Sequence, residues 1–340
     1  MTTLLRSHAP SPEGLESTSS AGTDRGAVMP AGSRPRSTII VTSDGTSSSD
    51  GAIRMALGMV DRADTELEVL TVVAGGQEEV SDELLPDERD DTAHRRQQRD
   101  AVEAQVTRIS GGPHVHAVTV INGSAARTIA GVAAERHAAL VIVGLGRHDL
   151  SDRLFGTETA VQLARISRVP VLAVREDAVA LTSRAIVAVD FSEHSESAAQ
   201  AAIDLMGDTG LVELVHVTPY VAEFPSSVQG QEPYKNWARV QLDALLGQLI
   251  APSGITLKRA VLQGRTAHVL LARARDVGAD VIAVGTHGRS YAVRALVGSV
   301  TTDLLRGAHC AVLMVPPDRL PSPGSTGTDA VIATHPDTAS

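Results

Sequence analysis

An internal repeat constrains the fold of this chain more than any other feature. Residues 37–176 and residues 183–316 carry the same succession of apolar runs and helix-like stretches. Each copy opens on an apolar run closed by an aspartate: STIIVTSD ends at Asp44 and RAIVAVD ends at Asp190. Because a repeat reuses one structural unit, we predict two similar domains rather than one large core.

Within each copy, runs of Val, Ile and Leu alternate with helical stretches of about ten or more residues. Buried parallel strands joined by right-handed crossover helices give this pattern. The distance from the glycine that ends the third strand to the next glycine loop is the same in both copies, Gly123 to Gly144 and Gly264 to Gly285. The sequence therefore predicts two tandem, doubly wound α/β domains, each with a parallel sheet.

Composition limits the remaining possibilities. Residues 1–36 and 317–340 are rich in Ser, Thr, Pro and Gly without apolar periodicity, so we expect disordered tails. A formal net charge of −10 opposes nucleic-acid binding, and no apolar run is long enough for a membrane span. The only cysteine, Cys310, lies in the apolar stretch HCAVLMV and is predicted to be a buried small hydrophobe. These features are typical of a cytoplasmic protein.

The stretch VGTHGRSYAVRALVGSV in the second copy raises the question of a phosphate site. Its three glycines are Gly285, Gly288 and Gly298. Glycine permits positive φ, and the helix opened by Ser299 would offer free N–H groups and a partial positive charge to a phosphate. Ser299 would cap that helix or bond a phosphate oxygen, and Thr301 would add a second hydroxyl. Taken alone, three glycines fit a simple turn as well as a phosphate cradle.

The whole pattern of the second copy resembles the universal stress protein family. The second copy matches the family signature G-2x-G-9x-G-S/T with GTHG, nine residues and GS. The stretches VAVDFSE and LVHVTP precede this signature, and AHCAVLMVP follows it. The resemblance covers both copies and implies flavodoxin-like (Rossmann-like) five-stranded sheets of order 3-2-1-4-5. It also implies ATP binding in members with the signature. In this family fifth strands commonly pair across a dimer interface, which implies pairing of VPVLAV with AVLMV and a homodimer through the fifth strands.

The resemblance also assigns ATP contacts to individual residues. In the second copy Asp190 would contact the adenosine end and the backbone of Val217 would line the adenine. The residues near the phosphates would be Gly285, Gly288, Gly298, Ser299, Val300 and Thr301. The matching residues of the first copy are Asp44, Val72, Gly144, Gly146, Gly156 and Thr157. ATP would bind with or without Mg²⁺, no metal site is expected on the protein itself, and Asp190 would alternatively cap the following helix.

The first copy departs from the signature. In VGLGRHDLSDRLFGTETA, one residue instead of two separates Gly144 from Gly146, and Glu158 stands where the second copy has Val300. A carboxylate beside a helix N-terminus repels a phosphate and competes for the same N–H groups. We therefore expect a weakened or specialised first site, and whether it binds nucleotide stays open.

Several other functions are weighed against ATP binding. Neither lysine lies in a glycine loop, which excludes a Walker-type NTPase, and no GxGxxG follows the first strands. His287 makes a slow ATPase or phosphotransferase the enzymatic alternative, although no lysine clamp or positioned base accompanies it. A nucleotide-free interaction module is the third possibility. We expect a non-enzymatic, nucleotide-dependent regulator of a stress response, with an unidentified protein partner.

Two groups of histidines receive simpler interpretations. His216 lies inside a predicted strand and is expected to be a core histidine with satisfied hydrogen bonds. The HVH stretch at 114–116 has no acidic or cysteine neighbours, so an exposed strand face is favoured over a metal pair.

Overall fold

The computed structural model describes most of the two repeats. The described residues are 37–60, 65–74, 88–113, 116–146, 157–179, 183–218, 228–286 and 298–316. Both predicted disordered tails lie outside them, as do His114, Gly156, His287 and Gly288.

Strands and helices alternate through both repeats, as the sequence predicts. The first repeat consists of β1 (Ser37–Thr42), α1 (Asp50–Val60), β2 (Thr65–Val73), α2 (Glu88–Ser110), β3 (Ala117–Asn122), α3 (Ala125–Glu135), β4 (Leu140–Leu145), α4 (Thr157–Ile166) and β5 (Val171–Arg175). The second consists of β6 (Arg184–Ala188), α5 (Glu193–Met206), β7 (Thr209–Thr218), α6 (Val228–Gln248), β8 (Gly254–Gln263), α7 (Thr266–Val277), β9 (Val281–Gly285), α8 (Ser299–Gly307) and β10 (Ala311–Val315). A short 3-10 turn, Ser47–Ser49, precedes α1.

The strands form one ten-stranded sheet in the order β3-β2-β1-β4-β5-β10-β9-β6-β7-β8. Each half of this order reads 3-2-1-4-5 in the numbering of its own repeat, which confirms the predicted topology. Neighbouring strands within each half are parallel. Because a parallel strand must re-enter the sheet from the same end, each connection within a repeat crosses one face of the sheet and starts from a loop at the carboxyl edge.

The two repeats join through their fifth strands. β5 and β10 pair antiparallel, with Leu313 opposite Leu172, and this confirms the predicted pairing of VPVLAV with AVLMV inside one chain. β4 and β9 occupy the other edges of β5 and β10. The predicted homodimer therefore finds no free edge on the fifth strands, because one chain already makes that pairing within itself. A homodimer through another surface stays a prediction.

Aliphatic side chains fill both faces of the sheet. Successive strand residues point to opposite faces, so that Ile40 packs in one layer while Ile39 and Val41 pack in the other. One layer is covered by α1, α2, α5 and α6, and the other by α3, α4, α7 and α8. Each layer contains residues of both repeats, so the two domains share a core across the β5–β10 seam.

Cys310 belongs to this core. It is 9% exposed and packs in the layer under α7 and α8, which confirms the prediction of a buried small hydrophobe. Burial raises the pKa of its thiol to about 12. Among the described residues, no helix combines the length and the apolar character that a membrane crossing requires.

Candidate functional site

The strand order of the second repeat reverses between β6 and β9, which pair with Val187 opposite Ala283. In an open parallel sheet, ligands bind at the carboxyl ends of the strands beside such a reversal. Asp190 follows β6 and Gly285 ends β9, so both lie at this edge as predicted. The edge therefore has the position that a ligand crevice requires.

Asp190 organises the start of α5. Its Oδ1 accepts hydrogen bonds from the Ser192 backbone N–H (3.1 Å) and from the Ser192 hydroxyl (2.5 Å). Ser192 is the N-cap of α5, and its Oγ accepts from the Ser195 N–H at 3.4 Å. The suggestion that Asp190 itself caps this helix is therefore wrong: it positions the residue that does. Both bonds use Oδ1, and no described residue bonds the other carboxylate oxygen.

Gly285 is required by packing rather than by backbone conformation. Its φ lies outside the left-handed region, so the positive φ that glycine permits is not used here. A Cβ at this position would stand 2.9 Å from the His194 Cβ and 3.0 Å from the His194 carbonyl oxygen. Gly144 has the same role in the first repeat, where a Cβ would stand 2.6 Å from the Ser48 carbonyl oxygen. Glycine at this position lets the start of α5 in the second repeat, and the 3-10 turn before α1 in the first, approach the fourth strand.

Gly298 has no such packing requirement. It is the N-cap of α8, with φ −55° and ψ 144°, a conformation open to any residue. Among the described residues, nothing lies within 4 Å of where its Cβ would be. Ser299 is the first helical residue, so its predicted capping role is wrong. The first N–H groups of α8 therefore have no side-chain cap, and a ligand can approach them closely.

A groove of about 570 Å³ runs from this helix start between α7 and α8. Ser299 and Val300 line one end, and the charged or titratable lining residues are Arg265, His268, Asp303 and Arg306. Arg265 is the N-cap of α7 and its side chain makes no capping bond, so two helix N-termini without side-chain caps border the groove. Two arginines and one carboxylate give the groove a positive side-chain charge, and the two helix N-termini add partial positive charges. The groove therefore favours an anion.

The buried valines limit how an adenine would be contacted. Val217 is 8% exposed and Val72 is 3% exposed, and both side chains pack in the layer under α3 and α7. Their side chains are therefore taken up by the core, and a contact with adenine through them is not expected.

The corresponding crevice of the first repeat is crossed by its own helix α2. The Gln98 Nε2 donates to the Asp44 carbonyl at 2.7 Å and to the Thr71 hydroxyl at 3.4 Å. The Asp44 Oδ1 accepts from the Thr46 N–H (2.9 Å), the Thr46 hydroxyl (2.8 Å) and the Ser49 hydroxyl (3.0 Å). The Asp44 carbonyl oxygen and the Asp44 Oδ1 are thus engaged within the chain, and the carbonyl bond to Gln98 is the one that bridges to α2.

The glycine loop of the first repeat is only partly described. Gly146 follows the end of β4 and Thr157 begins α4. Glu158 lies in the first turn of α4 and is exposed, as the sequence suggested. Its carboxylate competes with any phosphate at this helix start.

Sequence reasoning missed one group beside Asp190. Phe191, His216, Tyr234 and Trp237 form a cluster that we call the aromatic wall. The Phe191 ring centroid is 4.5 Å from that of His216 and 5.1 Å from that of Trp237, and those of Tyr234 and Trp237 are 5.4 Å apart. The low aromatic content of the chain, 2%, together with its only tryptophan, was the available signal.

The hydrogen bonds of His216 confirm that it is a satisfied, buried histidine. Its Nδ1 lies 2.7 Å from the Val189 carbonyl oxygen, and its Nε2 lies 3.1 Å from the Tyr234 hydroxyl. These contacts tie β7 to the end of β6 and to α6. His116 also has a partner within the structure, and the described residues contain no group of three His, Cys, Asp or Glu placed to hold a metal ion.

Comparison with known proteins identifies the family. The model of the universal stress protein family matches residues 35–175 and again residues 182–316. The chain belongs to the universal stress protein family. This confirms the resemblance on which the site residues were assigned.

Relatives match this chain either across both repeats or over about the length of one. A universal stress protein of Mycolicibacterium smegmatis is 27% identical over 292 residues, 82% of this chain and 97% of that protein. One from Methanocaldococcus jannaschii is 26% identical over 146 residues, 40% of this chain and 82% of that protein. The crystal structure of a universal stress protein from Archaeoglobus fulgidus has a TM-score of 0.57 at 18% identity, covering 82% of this chain and 98% of that chain.

Proposed function

We propose that the second repeat binds ATP and that occupancy of this site regulates the protein in a stress response. The observation that carries the proposal is Gly298, a glycine that neither its backbone conformation nor its described neighbours require, at the start of a helix without a side-chain cap. A ligand that must approach the backbone closely explains it. Because the second repeat matches the family's ATP-binding signature, we propose ATP as this ligand.

The phosphates and the ribose of ATP would both find partners in this site. The phosphates would accept hydrogen bonds from the N–H groups of Ser299, Val300 and Thr301, which have no acceptor inside the helix. Thr301 is 1% exposed, so its backbone N–H rather than its hydroxyl is the group proposed for the phosphate. The second carboxylate oxygen of Asp190 would accept from a ribose hydroxyl. Mg²⁺, if present, would arrive on the phosphates.

We propose one nucleotide for each chain. Gln98 bonds the Asp44 carbonyl in the first repeat, and the first helix turn of its α4 carries Glu158. Either feature opposes a nucleotide there, while the second repeat has neither. Calorimetric titration with ATP should give a stoichiometry near one, and two equal sites would contradict this part of the proposal.

The proposed role is binding rather than fast turnover. Helix N–H groups and a carboxylate position a nucleotide without supplying a general base or a nucleophile. Slow hydrolysis or phosphoryl transfer through His287 is the alternative, and it would require a rate that falls in His287→Ala. The proposal also includes a cytoplasmic location, which a single buried cysteine fits, and a protein partner that reads occupancy.

The first experiment is to heat the purified protein, identify any released small molecule and titrate the wild type with ATP. Asp190→Asn should weaken ATP binding, because it removes the negative charge that faces the ribose but keeps the oxygen bonded to Ser192. Asp44→Asn is the matched control, because Asp44 makes the same local bonds in the first repeat. Absence of ATP affinity in the wild type, or equal weakening by both variants, would contradict the proposal.

A further inference from the structure

The two repeats differ systematically at four positions around their first two strands. In both repeats one position follows the aspartate of the first strand, and another precedes the buried valine of the second strand. Two more lie three residues apart on α2 and α6, and the second of each pair directly precedes a buried helix residue, Val102 or Ala238. The four pairs, first repeat before second, are Gly45 and Phe191, Thr71 and His216, Gln98 and Tyr234, and Ala101 and Trp237.

Contacts support this correspondence. Gln98 bonds the Thr71 hydroxyl, and Tyr234 bonds the His216 ring. A Cβ at Gly45 would stand 3.2 Å from the Ala101 Cβ, where the second repeat has two rings in edge-to-face contact. Small or polar residues in one repeat are therefore replaced together by the aromatic wall in the other. Since both cores are otherwise aliphatic, the change is not a general feature of packing in this chain.

Phe191 occupies a position that favours glycine. Its φ is 62°, in the left-handed region, and the matching residue of the first repeat is Gly45 with φ 81°. This conformation is unfavourable for any residue with a Cβ, and bulky residues adopt it rarely. Backbone strain of this kind concentrates at functional sites. The chain thus accepts an unfavourable backbone conformation at the residue that places a ring beside Asp190.

The aromatic wall presents ring surface to solvent. Tyr234 is 41% exposed and Trp237 is 40% exposed, whereas His216 behind them is 7% exposed. The rings therefore have a packed side and an open side. Aromatic surface that is held rigidly and left partly open is suited to stacking against another planar group.

We infer that the aromatic wall stacks against the purine base of the bound nucleotide and thereby selects a ligand that carries a base. The inference rests on the proposed function and assigns Tyr234 and Trp237 as specificity-determining residues of that site. Its basis is the juxtaposition of the wall with Asp190, which directly precedes Phe191 and faces the ribose in the proposal. The first repeat lacks the wall and is expected to lack this selectivity.

The only tryptophan makes the inference directly measurable. ATP and adenosine should both quench the emission of Trp237 saturably, while inorganic tripolyphosphate should not. Replacing the wall with residues of the first repeat, Tyr234→Gln and Trp237→Ala, should each raise the Kd for ATP by about 5- to 150-fold in calorimetry. Their Kd for tripolyphosphate should not change. Val240→Ala, at a 62% exposed position one turn further along α6, is the control and should leave both Kd values unchanged.

The outcomes separate the wall from the ATP site. ATP binding with an unchanged Kd in both wall variants overturns the inference and leaves the proposed function intact. No ATP binding, but quenching by adenosine, keeps the wall and overturns the phosphate site. No response to either ligand overturns both. An emission change that follows protein concentration instead of ligand overturns the inference and assigns the wall to contact with a second copy of the chain.

Discussion

Gly298→Ser is expected to move stability and ATP affinity in opposite directions. A serine at the N-cap accepts a hydrogen bond from the N–H of the second or third helical residue, here Val300 or Thr301. Since φ −55° suits serine and no described atom lies within 4 Å of its Cβ, the nucleotide-free protein should gain a few tenths of a kcal/mol. The same bond consumes a donor that a phosphate would use.

The loss in affinity follows from that donor. A hydrogen bond to a charged group contributes about 1.5–3 kcal/mol, so the Kd should rise roughly 10- to 150-fold. With ATP at 100 times the wild-type Kd, ligand stabilisation of the wild type is about 2.7 kcal/mol. In Gly298→Ser it should fall to between about 0.3 and 1.4 kcal/mol. Urea unfolding with and without ATP measures both quantities.

Two further variants make the result interpretable. Gly298→Ala adds a Cβ without an acceptor, so it should show no gain in stability before ATP is added. Gly285→Ala should destabilise the nucleotide-free protein, because its Cβ would collide with His194. If Gly298→Ser kept the full stabilisation by ATP, the reasoning from the free helix start would be refuted.

Further predictions concern the core of the second repeat. Glu213 is 4% exposed and accepts two hydrogen bonds from Arg273, at 2.8 and 2.7 Å. Arg273→Met would leave this buried charge unpaired and should lower the free energy of unfolding by about 3 kcal/mol. This is the lower end of the range for a broken buried pair, because Arg273 is itself a third exposed. Arg259→Met, whose partner Asp243 is half exposed, should lower the free energy of unfolding much less than Arg273→Met in the same urea titration, and equal losses would contradict the burial argument. Cys310 should react with a thiol reagent only as fast as the protein unfolds. The folded pKa of Cys310, about 12, lies above the ordinary 9.0, so its contribution to stability should be present below pH 9.0 and decline above it. A free energy of unfolding that stayed constant above pH 9.0 would contradict this prediction.

Much of the fold was predictable because its signals are local. Short segments carry the apolar runs, the helix periodicity and the glycine spacing, and each of these signals occurs in both repeats. The spaced glycines are Gly123, Gly144, Gly264 and Gly285. The strand order came from the family resemblance, since periodicity does not say which strands are neighbours. Pairing of β5 with β10 also came from the resemblance, but only the structure shows that it leaves no fifth-strand edge for another chain.

The roles of individual glycines required the tertiary structure. Gly285 and Gly298 look equivalent in the signature, yet one is required by the approach of α5 and the other is required by no described neighbour. The difference lies in atoms from a helix roughly 90 residues earlier in the chain, and a motif contains no information about them.

The sequence by itself determined the repeat, the fold class, the family and the residues of the candidate ATP site. Only the tertiary structure decided that Gln98 of α2 reaches the Asp44 carbonyl oxygen from another element. It also brought Phe191, His216 and Trp237 together from a loop, a strand and a helix. Periodicity places each residue on a face of its own element, whereas contact between elements depends on how those faces pack, which no single segment encodes.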